Sequence, residues 1–248
     1  MNINLFSKKK YPLIEMAVVL LTAFIWNQGV YFGARWIASG WYHYDMTTTF
    51  DLLVPFLPWT ICIYFGCYLF WGINYFLCAL QDKESRDRFF CADILAKGLC
   101  FVLFLAVPAT NVRPDVVGDS VWDVLMRFLY NIDSADNLFP SIHCLASWLC
   151  WVGVRKRKDI PGAYRWFSFA AAVAVCVSTL TTRQHVFADV FSGILIAEAC
   201  YCIAGFASVR KYYSAFVACT AAFVQEKILP TLSSRNASRS TGPEGSAE

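Results

Sequence analysis

Long apolar runs alternate with short polar connections along most of the chain. Runs at residues 13–37, 52–80, 89–109, 141–154, 164–179 and 186–208 each predict a helix. Several approach the ~20 apolar residues that a membrane-spanning helix needs. The first follows Lys8, Lys9 and Lys10. It is longer than the roughly 7–15 residues of a signal-peptide core, so it predicts an uncleaved first crossing. Thr48 and Asp51 have the spacing of a capping box at the start of the second run. The fourth run is short and spans only if its outer end lies below the membrane surface. Residues 110–139 are the longest polar connection in the body of the chain. Within them Val121, Val124, Leu125, Phe128 and Leu129 recur with helical period, and Ser120 with Asp123 can cap their start. This predicts a short amphipathic helix lying in the interface. Residues 209–229 predict a further, partly amphipathic helix. The expected architecture is all-α: a six-transmembrane helical bundle, with the short interfacial amphipathic helix between helices three and four. It forms one domain over residues 1–232, and the Ser-, Gly- and Arg-rich segment 233–248 is a disordered tail.

Composition agrees with a membrane protein. Hydrophobic residues make up 58% and charged residues 16%, against roughly a quarter charged in a soluble domain. A net charge of +3 is too small to point to a nucleic acid partner. The distribution of charge is more informative. Lys83, Arg86 and Arg88 follow the second run, Arg155 to Lys158 and Arg165 follow the fourth, and Arg210 and Lys211 follow the sixth. The alternate connections hold little beyond Arg113, Arg127 and Arg183. The positive-inside rule then places both termini in the cytoplasm and residues 110–140 and 180–186 on the extracytoplasmic face. The eleven cysteines include no C-x-x-C pair and no Cys/His cluster of zinc spacing. They read as small apolar packing residues. Asn236-Ala237-Ser238 has the form of a glycosylation site but falls on the cytoplasmic side.

This topology brings two of the three histidines to one membrane level. His143 opens the fourth run, behind Pro140 at a first helical turn, and His185 precedes the sixth. Asp189 lies one helical turn after His185, where its carboxylate can fix the ring's tautomer. His185 is the candidate nucleophile at phosphorus and His143 the candidate general acid. Ser141 and the backbone amides around Ile142, at a helix start, are candidate holders of phosphate oxygens. Arg113 and Arg183 are the cations on the same face. Asp93 and Lys97, one turn apart, predict a helix-stabilising pair at membrane depth, and Glu198 a carboxylate buried between helices. His43, between Tyr42 and Tyr44, reads as interfacial.

Residues 90–205 resemble the type 2 phosphatidic acid phosphatase and haloperoxidase superfamily. Pro140-Ser141-Ile142-His143 matches its Pro-Ser-Gly-His signature except at the glycine. Ser178, His185 and Asp189 match the signature Ser-Arg, five residues, His, three residues, Asp, with Thr179 at the arginine. Arg113-Pro114 matches Lys, six residues, Arg-Pro, with Ala106 at the lysine. The resemblance implies a phosphohistidine at His185, no metal and no other cofactor, and lipid phosphate substrates. Arg183 is placed to replace one of the two absent cations. The departures resemble the phosphotransferase branch, which includes sphingomyelin and inositol phosphorylceramide synthases. Three readings stay open: a lipid phosphate phosphatase, a head-group transferase between lipids, and a catalytically silent membrane protein that binds lipid or a partner.

Overall fold

The computed structural model describes residues 13–228, and every long element in it is a helix. Helix α1 (Leu13–Ala38) leads to a two-residue strand β1 (Tyr44–Asp45), a short helix α2 (Thr49–Leu53) and α3 (Ile61–Ala79). Helix α4 (Lys83–Ala106) leads to β2 (Ala109–Thr110), which pairs in parallel with β1. Then come α5 (Val121–Ile132), α6 (Ile142–Val154), α7 (Gly162–Thr181), α8 (Phe187–Ile203) and α9 (Ala207–Phe223). The lysine head, the C-terminal tail and the glycosylation motif lie outside the described residues.

Four helical segments are long and apolar enough to cross a membrane: α1, Pro58–Ala79, α4 and α7. Helices α8 and α9 pass only as a pair, and they are bent by 88° at their junction. Helix α6 has 13 residues. At 1.5 Å per residue it is about 20 Å long, against a hydrocarbon core of ~30 Å. These helices fit a multi-pass membrane protein.

The second apolar run is not one helix. Thr48 and Asp51 form the expected capping box, but α2 stops at Leu53. Pro55 interrupts the run, Pro58 starts a 3-10 turn (Pro58–Thr60), and α3 begins only at Ile61. A ring without an N–H breaks the helical ladder. The charged stretch 83–88, expected as loop, forms the first turns of α4, because the Asp82 carboxylate accepts from the Ser85 amide at 3.2 Å. Helix α8 ends at Ile203 rather than 208. Pro140 stands before the helix instead of in its first turn, and Ser141 is the N-cap.

Helix α6 runs through the middle of the bundle, between α3, α4, α7 and α8. Ten of its 13 residues are buried. Its many small side chains, including Cys144, Ala146, Ser147, Cys150 and Gly153, let neighbouring backbones come close. At one end of the bundle the β1–β2 bridge ties the segment after α1 to that after α4, and the Leu57 amide donates to the Thr181 carbonyl at 2.9 Å. At the other end Arg155 grips Glu198 through two contacts of 2.5 and 2.9 Å, and Arg88 donates to the Tyr201 carbonyl at 3.1 Å. Glu198 is therefore a partly exposed partner of Arg155, the residue that ends α6, not a carboxylate enclosed between helices.

Candidate active site

The two histidine-bearing helix starts are pinned together by backbone. The Ser141 amide donates to the Asp189 carbonyl at 3.1 Å. Gly193, nearly two turns into α8, packs so close that a Cβ there would sit 2.7 Å from the Ser141 carbonyl oxygen. Only glycine permits that approach.

Ser141 is fully buried, and its hydroxyl accepts from the Cys144 amide at 3.2 Å. It caps α6 and does not line the cavity described below. Ile142 does line that cavity. The cap sets His143 in the first turn, where its ring stacks on Tyr64 with centroids 4.6 Å apart. Nδ1 and Nε2 of His143 lie 3.5 Å from the hydroxyls of Tyr64 and Tyr68.

His185 sits in the turn between α7 and α8. The amides of Gln184 and His185 both donate to the Thr179 carbonyl, at 3.0 and 3.1 Å, and lock this turn to α7. Asp189 Oδ2 accepts from the Val186 amide at 3.0 Å and lies 3.2 Å from His185 Nδ1. The expected His–Asp pair is formed, and Nε2 is left as the open nitrogen. Burial opposes a charge on His185, but the Asp189 carboxylate outweighs it and raises the ring above its ordinary pKa.

The ring centroids of His143 and His185 are 5.8 Å apart. Both line a cavity of about 220 Å³. Its aromatic wall includes Tyr31, Phe32, Tyr68 and Trp71, and its polar wall includes Asp133, Asp136 and Gln184. Comparison with protein-family models, curated proteins and solved structures found no match.

Neither expected cation lines the cavity. Arg113 stands behind its wall, donating to the Asp133 carbonyl and to Gln184 Oε1, each at 2.6 Å, with its guanidinium 4.8 Å from the Tyr130 ring centroid. Burial lowers its pKa from the ordinary arginine value. Arg183 lies on the other side of His185, where the two share a narrow space with Asp51 and Val54. Its backbone is left-handed at φ 54°, and its side chain donates to the carbonyls of Asp51, Leu52 and Val54. It serves the open end of α2 and does not line the cavity that the two histidines share. Thr179, where the family signature has arginine, is fully buried, and its hydroxyl donates to the Cys176 carbonyl at 2.8 Å.

Asp133 is the residue that sequence reasoning missed. It follows the last turn of α5, and its carboxylate accepts from the hydroxyls of Tyr31 and Tyr64, the latter at 3.0 Å. A chain thus runs from Asp133 through Tyr64 to His143. One signal was present in the sequence: Tyr64, Tyr68 and Trp71 stand at helical spacing and place polar-tipped aromatic rings on one face of the run. Nearby, Asp136 pairs with Arg35 at 3.2 Å, and burial raises its carboxyl pKa.

Proposed function

We propose that this protein is an integral membrane lipid phosphate phosphatase that works through a phosphohistidine at His185. One observation carries the reading: two imidazoles 42 positions apart in sequence face one small cavity, and only one of them is backed by a carboxylate. A phosphoryl group lying between them is within hydrogen-bond reach, about 2.6–3.2 Å, of each ring. Nε2 of His185 attacks phosphorus as the bond to the lipid oxygen breaks. His143 gives its proton to the departing alkoxide. His143 then takes a proton from water as the water oxygen attacks the phosphohistidine. The products are a lipid alcohol and free phosphate. Asp189 holds the His185 tautomer and stabilises the charge that develops on its ring.

The proposed topology has six crossings, with α6 and α8 added to the four long segments. The cavity end faces the extracytoplasmic side. The basic end, with Arg86, Arg88, Arg155 and Arg157, faces the cytoplasm together with the starts of α1 and α9. Helix α5 lies in the outer interface, supported by its two faces: Met126 and Leu129 are buried against the bundle, while Val121, Val124 and Phe128 are exposed.

One observation favours head-group transfer between lipids instead. Among the described residues no Lys or Arg lines the cavity, and two aspartates do. A phosphomonoester dianion is poorly matched to such a wall, whereas a phosphodiester carries one charge fewer. Purified protein in mixed micelles with EDTA, offered several lipid phosphates and phosphodiesters, separates the two. Free phosphate supports hydrolysis and a new phospholipid supports transfer. The absence of both, with His185→Ala indistinguishable from wild type, sinks the enzymatic reading.

A further inference from the structure

The active-site cavity does not end at His143. Asn27, Gln28, Tyr68 and Trp71 line both it and a second space of about 500 Å³. That volume lies within the ~300–1,000 Å³ range of small-molecule sites. It descends between α1 and α3, along α1 from Gln28 to Leu20 and along α3 from Tyr68 to Tyr75. Seven or eight residues at 1.5 Å each make a depth of about 10–12 Å. Leu20, Ala23, Phe24 and Ala146 form its apolar wall. Gly72 keeps it open, since a Cβ built there meets nothing within 4 Å. At its foot is Lys97, whose ammonium is held by Asp93 at 2.9 Å. Phe24, one of its wall residues, is 63% exposed, so the space reaches the outer surface of the bundle. Helices α1 and α3 both belong to segments long enough to cross a bilayer.

A space that meets a His/Asp cavity above and hydrocarbon at its side fits an amphiphile better than a wholly soluble ligand. We propose that the α1–α3 groove seats the hydrocarbon chain of the lipid whose phosphate reacts at His185. The choice of lipid rests on the phosphatase reading, but the groove is tested by a separate readout. The four shared residues mark the boundary between head group and chain, and the Asp93–Lys97 pair marks the floor that the chain end approaches.

The test is photo-crosslinking of the full chain in micelles, with a long-chain alkyl phosphate carrying a diazirine near its chain end. The label is expected on peptides containing Leu20–Phe24 or Gly72–Tyr75, and to fall there about tenfold in Gly72→Phe, the effect of one lost decade of affinity. Label spread over other helices, or unchanged labelling in a folded Gly72→Phe protein, overturns the proposal. If that variant does not fold, the wild-type peptide map alone decides. Groove labelling without phosphate release supports the groove and counts against the phosphatase reading. Phosphate release with label elsewhere overturns the groove and leaves that reading intact.

Discussion

The amide of Ser141 donates to the carbonyl of Asp189, and this one bond joins the starts of the two helices that present His143 and His185. The contact is possible because Gly193 offers no Cβ toward the Ser141 carbonyl. Gly193→Val is therefore expected to push α6 and α8 apart. Overpacking of this kind destabilises by about 1–3 kcal/mol. A displacement of ~1 Å at the reacting groups lowers turnover by roughly 10²-fold. Turnover should thus fall further than the change in thermal midpoint accounts for. Unchanged turnover in a folded Gly193→Val protein would show that the pinning is dispensable.

The rate should depend on pH through His185. Burial works against its charge, the Asp189 carboxylate works for it, and the net effect is a raised pKa. The attacking ring must be neutral, so kcat/KM is expected to rise with pH through an apparent pKa above the ordinary ~6.5. Asp189→Asn removes the carboxylate and should move that limb to lower pH while lowering the maximal rate. The same shift has a consequence for stability. A raised folded pKa contributes stability that is fully present below about 6.5 and lost as pH rises through the folded value. A limb that stays in place in Asp189→Asn argues against this assignment.

His143 and His185 should fail differently. His185→Ala is expected to abolish the acid-labile phosphohistidine with every substrate. His143→Ala should lower kcat by about 10²–10⁴ with a lipid alcohol as leaving group. Its effect should shrink with p-nitrophenyl phosphate, whose leaving group departs without a proton. Tyr64→Phe breaks the chain to Asp133 and should lower the rate less than His143→Ala does. Equal losses on both substrate types in His143→Ala would point away from general acid chemistry.

Arg183 should matter for folding rather than for phosphate. Its guanidinium serves three carbonyls around the end of α2 and does not line the cavity. Arg183→Ala is expected to lower stability by about 1–3 kcal/mol, the usual range when buried acceptors lose a partner. KM for a lipid phosphate should change less than twofold, roughly 0.4 kcal/mol. A large rise in KM without a thermal shift would restore Arg183 as a phosphate ligand.

The Asp93–Lys97 pair, with the Tyr75 hydroxyl on Asp93 at 2.5 Å, should show strong non-additivity. Removing one partner leaves an uncompensated buried charge, with a typical cost of about 3–5 kcal/mol. The double variant Asp93→Asn/Lys97→Met should recover most of that loss, as measured by thermal unfolding in detergent. Additive losses would mean that the two charges do not sense each other.

Much of the bundle was legible from the alternation of apolar runs with polar punctuation, because a helix in lipid must satisfy its own backbone and so announces itself over many residues. The caps of α2 and α5, the amphipathic stretch between α4 and α6, and the His185–Asp189 pair are all local, set by spacing within one turn. The proline-broken second run was misjudged because hydropathy averages across a break that a single missing N–H enforces. What lay beyond the sequence was the partner of those polar side chains that reach across to another element. Arg183 is only two residues from His185, yet a left-handed backbone sends its side chain to α2. Asp133 stands in the loop before α6, yet it reaches His143 through Tyr64, a residue of the distant helix α3. Periodicity determines which residues share a helix face. Which guanidinium or carboxylate meets a given ring depends on how close two backbones come, and here a glycine and a buried serine on different helices decide that.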